Sequence, residues 1–251
     1  MSAYSGIHFS ISTLRMEVES IGSLAKDFLE LESHQVLASW SADLTAIGNQ
    51  ATTSSFPWTI SEDRPLRTKK TEGFEPNRRK VKQSVWGELA FIWELGRVST
   101  NKRKEGAHLL CLNGKASTKV KIFTEKEGAK SMVAQWQIEV GSHDSPGWHF
   151  HVGLCQESDE GHFPKWLSVP RVPGLLVAPT DALDFLLGEL FQEEWKKTVS
   201  NDLFPNVELG KAQKSRIQGM SKWHSSELAS GNGSAWNRLK RGKPSADIFI
   251  S

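Results

Sequence analysis

The pentapeptide Trp148-His149-Phe150-His151-Val152 is the segment whose residue types and spacing could most directly do chemistry. In an extended strand, alternate side chains share a face, so both imidazoles project together while Trp148, Phe150, Val152 and Leu154 take the other side. Two neighbouring imidazoles can relay protons, bind an anion, or ligate zinc or another divalent metal. If the preceding segment, Ala134 to Val140, forms a hairpin with Val140 opposite Trp148, then Glu139 falls opposite His149 and Gln137 opposite His151. Lys119 or Lys121 would lie one strand further. The plainer reading of the same pattern is a solvated sheet face. Arg171 follows in a loop that can fold back over the strand end and complete an anion pocket. Its plainer role is an ion pair with Asp181 or Asp184. On the catalytic reading Glu139, His149, His151 and Arg171 form one constellation, with a histidine as general base and the arginine stabilising negative charge. On the metal reading His149 and His151 are ligands, and His143, Asp144, Glu157 or His162 could join them.

The longer pattern narrows this only a little. Cupins and histidine-triad hydrolases also carry alternating histidines, but the third histidine each requires is missing, and position 153 is Gly. Ile7-His8-Phe9-Ser10-Ile11 resembles one of the two His-x-Ser/Thr strands of 2H phosphoesterases, yet His151 stands where the second strand needs a hydroxyl. The block Pro146-Gly147-Trp148-His149-Phe150-His151, then Arg171-Val172-Pro173, then Pro179 to Phe185, resembles a pattern of uncharacterised bacterial proteins. There a Pro-x-x-His-x-His strand precedes an Arg-x-Pro loop and a helix. The resemblance spans residues 145–197 and implies no activity. Gly231-Asn232-Gly233-Ser234 lacks the frame and the Lys of a phosphate-binding loop. Cys155 has no assured base, so covalent catalysis is not indicated.

Charge is the second signal. The net charge is only +2, but residues 64–82 hold eight basic side chains against Glu72 and Glu75, and residues 211–251 hold eight against Glu227 and Asp247. An acidic body with two basic arms can neutralise phosphates or dock on an acidic partner. Arg78, Arg79, Lys80, Lys82, Arg238, Lys240, Arg241 and Lys243 are the candidate nucleic-acid contacts, with Trp223 and Trp236 placed to stack. The plainer reading is a solvated linker and tail.

The elements that position these residues follow from period. Leu14, Val18, Ile21, Ala25 and Phe28 recur at helical spacing after Ser12 or Thr13, and Val36, Leu37, Trp40, Leu44 and Ile47 continue it, which predicts a helical hairpin or one bent helix ending at Gly48-Asn49. Residues 50–83 lose periodicity and read as a basic linker or loop. From Val85 the period becomes two, and strands are predicted around 85–95, 120–122, 134–140 and 148–154, in meander order. After a Pro-rich loop, Thr180 can cap an amphipathic helix with the stripe Leu183, Leu186, Leu187, Leu190, Phe191 and Trp195. A short helix over Ile217–Leu228 and a basic tail follow.

The fold class expected is α+β: a four-stranded antiparallel meander with an N-terminal helical hairpin and a C-terminal amphipathic helix. The expected divisions are 1–49 helices, 50–83 linker or loop, 84–200 core, and 201–251 a basic extension packed on or tethered to it. The 251 residues suffice for a core without staples, and the ten Trp read as core filling. Two cysteines, no leader-like start and no long apolar run suggest a cytoplasmic protein with no membrane contact. The functional expectation is an accessory or adaptor protein that binds a protein partner, with nucleic acid reached through the basic segments. The alternative is a metal-assisted or histidine-dependent hydrolase, a phosphoesterase or nuclease, on His149 and His151.

Overall fold

The computed structural model describes residues 8–49, 55–72, 84–97, 109–126, 128–140, 148–154, 178–200, 204–230, 233–235 and 238–239, and describes the backbone alone for 8, 97, 109–115, 126, 140 and 148–154. Within these, helices and an antiparallel sheet form an α+β fold. The chain opens with a short strand β1 (His8–Ser10) and helix α1 (Ile11–Ala25), then a 3-10 turn (Lys26–Phe28) and helix α2 (Leu31–Asn49). The predicted hairpin is therefore present, with its start moved forward. Ser10 rather than Ser12 or Thr13 is the N-cap, its hydroxyl accepting the Thr13 amide at 3.3 Å.

Four strands in chain order make the expected meander: β4 (Val85–Arg97), β5 (Leu109–Lys126), β6 (Ala129–Val140) and β7 (Trp148–Leu154). The sheet is larger than that, because β2 (Phe56–Ile60) and β3 (Leu66–Arg67) pair with β4, and β1 pairs with β5. The linker expected over 50–83 thus contains two strands. Trp58 and Leu66 are wholly buried, and the Glu30 and Lys69 amides bond across to Arg67 and Phe28 carbonyls at 3.0 and 2.8 Å. Charge and Pro57 masked a short alternation, Trp58 and Ile60 inward, that burial of two large side chains suffices to stabilise.

The C-terminal helices are α3 (Pro179–Val199) and α4 (Asn206–Ala229). In α3 the predicted stripe is buried at Leu183, Leu186, Leu187, Leu190 and Trp195. Thr180 does not cap it. Ala178 is the N-cap, its amide donating to the Asp181 carboxylate at 2.9 Å, and Thr180 points instead to Glu17. Helix α4 is twice the predicted length, and Leu209, Met220 and Trp223 enter the core. None of the helices among the described residues is long and apolar enough to cross a membrane.

One hydrophobic core joins helices from both ends of the chain to one face of the sheet: Val85, Leu89, Phe91, Trp93 and Leu95 of β4 with Ala116, Val120 and Ile122 of β5 and Trp136 and Ile138 of β6. Its centre is aromatic. The Trp58 ring lies 4.9 Å from Phe91 and 5.8 Å from Trp40, and its indole N–H donates to the Trp40 carbonyl at 3.2 Å. Gly87 makes close docking of α3 feasible, because a Cβ there would sit 2.6 Å from a Leu186 methyl.

Candidate functional site

Register decides which residues meet on the sheet face turned away from this core. Across β6 and β7, Val140 pairs with Trp148, Glu139 with His149 and Gln137 with His151. Across β5 and β6, Ser117 pairs with Glu139, Lys119 with Gln137 and Lys121 with Gln135. A row from Ser117 through Glu139 to His149 therefore runs across three strands, and a second from Lys119 through Gln137 to His151 lies beside it. This is the ladder expected from hairpin geometry. The histidine side chains themselves lie outside the described residues, as do Arg171, His143, Asp144, Glu157 and His162. Among the described residues no group of three or more His, Cys, Asp or Glu is placed to hold a metal ion.

The described polar groups of this outer face hold one another. Ser117, almost fully buried, donates to Glu139 Oε1 at 3.3 Å and accepts from Gln137 Nε2 at 3.0 Å, while Gln137 also donates to Glu139. Lys119 and Lys121 both bind Glu62, the latter at 2.7 Å. Hydrogen bonds from Lys119 and then Lys121 hold the Glu62 carboxyl below the usual range. A cavity of about 260 Å³, lined by Thr59, Glu62, Ile92, Ser117 and Lys119 among others, opens beside them. Ile92 is an exposed apolar residue on the face.

Further along the sheet the same matching continues. Arg67 and Lys130 converge on Glu88 at 2.9 and 2.8 Å, and Lys70 binds Glu125 at 2.7 Å. Trp86 and Phe123 stack with centroids 5.9 Å apart, and the Lys130 ammonium sits 3.8 Å over Phe123. Both rings are more than nine-tenths buried, so neither offers a free stacking platform.

These contacts place part of the two basic runs within the fold. Arg64 donates to Gln35 at 2.9 Å, and Arg67 and Lys70 are engaged as described, so the first half of the 64–82 run is part of the fold. In the 211–251 run Arg216 is buried, and Arg238 hydrogen-bonds Ser230 at 2.5 Å just beyond the end of α4. Trp223 is 3% exposed, which removes it as a stacking surface. Arg78, Arg79, Lys80, Lys82, Trp236, Lys240, Arg241 and Lys243 lie outside the described residues.

Sequence reasoning missed Glu62, Ser117 and Glu88 on the outer face and a buried ionic triad in the helical layer. Arg216 donates to Glu17 at 2.5 Å and to both oxygens of Asp181 at 2.5 and 3.0 Å. Thr180 adds a hydrogen bond to Glu17 at 3.0 Å. Burial pushes the Glu17 carboxyl up against the opposing pull of Arg216. Burial works against the charge of Arg216, but Asp181 and Glu17 override it and hold the guanidinium above its ordinary value. The triad locks α1, α3 and α4 together. A signal for it existed: Glu17 occupies a stripe position between Leu14, Val18 and Ile21, and a charge on an apolar stripe requires a buried partner. No protein-family model, curated protein or solved structure significantly matches the chain, so the chemistry of the outer face rests on its own residues.

Proposed function

We propose that the chain is an accessory or adaptor protein that takes a protein partner on the outer sheet face. One observation carries the reading: the charged groups described on that face are held in place, Lys119 and Lys121 by Glu62, Arg67 and Lys130 by Glu88 and Lys70 by Glu125 as ion pairs, and Glu139 by hydrogen bonds from the neutral Gln137 and Ser117. A catalytic centre needs an acid or base left poised for its substrate, whereas fixed, complementary charges around an exposed apolar residue suit recognition, where electrostatic pattern sets specificity. Nucleic acid is a second partner on this reading, through Arg78, Arg79, Lys80, Lys82, Arg238, Lys240, Arg241 and Lys243.

The test compares baits in affinity purification. A partner recovered by the native chain is expected to be lost with Lys119→Glu, Lys121→Glu and kept with Arg15→Glu in the exposed helical layer. Equal recovery by all three baits rejects the reading.

The pairing of Glu139 with His149 favours one alternative, a histidine-dependent hydrolase in which the carboxylate orients the imidazole. Its mark is hydrolysis of a simple phosphodiester that His149→Ala and His151→Ala both abolish, and metal dependence of that activity distinguishes its metal-assisted form.

A further inference from the structure

The helical layer holds a second recess, unrelated to the outer sheet face. Between α3 and α4 lies a cavity of about 570 Å³. That volume is in the range of small-molecule sites. Phe185, Trp195, Val199 and Ile217 supply apolar walls, and Ile217, 47% exposed, stands at its open side. Asp184 is among the lining residues. Its two oxygens accept from neutral donors, the Trp195 indole at 2.7 Å and the Gln213 amide at 2.8 Å. These fix the carboxylate in place without neutralising it.

Among the described residues the local charge is unbalanced. Arg216, a buried cation nearby, is already shared by Glu17 and Asp181, and the charge that acts on Asp184 is the like charge of Asp181. Glu193 and Lys196, which also line the recess, pair with each other at 3.4 Å in the solvent and do not alter that imbalance. Helix α3 breaks its own geometry at this point: Gln192, another lining residue, has φ 40°. A non-glycine residue held there is strained, and such strain clusters where a binding surface is shaped.

We propose that this recess binds a small organic cation, an ammonium carried on an apolar or aromatic body, with Asp184 as its counter-ion and Trp195 and Phe185 packing the body. An incoming ammonium would offset the charge of Asp184, and an apolar stem would pack on the walls that Phe185, Trp195, Val199 and Ile217 supply. Burial, aided by the charge of Asp181, raises the Asp184 carboxyl, and a bound cation would reverse that push.

Phenethylammonium is the probe, titrated by calorimetry and by Trp fluorescence against the intact chain. Binding is expected to weaken at least about tenfold with phenethyl alcohol, the neutral analogue, the loss of one charge-assisted contact being worth about that factor. Asp184→Asn, which keeps the shape, is expected to weaken it by a similar factor. Ile217→Arg, at an exposed position that leaves the core intact, is expected to abolish it by placing a cation at the mouth. Failure of the probe to bind, equal binding of the alcohol, or binding untouched by Ile217→Arg in a chain with native circular dichroism overturns the proposal.

Discussion

Arg216→Leu strips the guanidinium from two carboxylates that cannot reach water. The side chains of Glu17, Asp181 and Arg216 are 1%, 11% and 7% exposed, and three hydrogen bonds disappear together. Breaking a buried pair by removing one partner costs about 3–5 kcal/mol, because the remaining charge keeps its desolvation penalty. For a chain of this size each kcal/mol lowers Tm by about 2–4 °C, so a fall of roughly 6–20 °C is expected. The penalty also depends on pH with a definite sign. Glu17 already titrates above 4.5 in the fold because of burial, and Arg216 is what restrains the rise. A raised folded-state value means stability that is full below 4.5 and lost as pH climbs through that higher folded-state value. Without Arg216 the value rises further, so the Glu17 part of the penalty is smallest below 4.5 and grows as pH rises toward neutrality. Urea unfolding followed by Trp fluorescence at both ends of that window measures it, and Glu17→Gln combined with Arg216→Leu should show coupling of roughly 0.5–3 kcal/mol. A variant as stable as the native chain at neutral pH, or one whose penalty is larger in acid, would refute the reasoning.

Gly87→Ala should destabilise by about 1–3 kcal/mol, since the new Cβ meets the Leu186 methyls at 2.6 and 2.8 Å, and thermal unfolding should show the cost partly relieved in combination with Leu186→Ala. Thr68→Val should cost about 1–3 kcal/mol by removing the buried hydroxyl that accepts the Gly87 amide at 2.9 Å, with faster hydrogen exchange at Gly87 as a local readout. Ser10→Ala should cost about 1 kcal/mol through loss of the α1 cap, measured by chemical denaturation.

Where one periodicity ran long enough, the fold was legible. The Leu183 to Trp195 stripe, the alternation of Val85 to Leu95 and the offset between β6 and β7 all follow from side-chain period, which is why Glu139 meets His149 as expected. Short elements were not legible. Residues 56–60 and 66–67 gain their strand conformation from β4, with which they pair, and their local sequence of Pro57, Pro65 and charges speaks for a loop. The length of α4 was hidden because its buried stripe includes Arg216, whose partners Glu17 and Asp181 lie far away in the chain, and the polar Asn206. For the site, the register of the candidate histidines was readable. The counter-charges were not, because Glu62 reaches Lys119 and Lys121 through tertiary contact across more than fifty residues.

The account stands on the outer sheet face being the surface that meets a partner. A photo-crosslinking residue placed at Gln135, which faces Lys121 across the ladder, and another at Ser41 on α2 test it in living cells of the source organism. The account predicts a discrete covalent adduct from position 135 and none from position 41. Adducts from 41 alone, or none from 135, would contradict it.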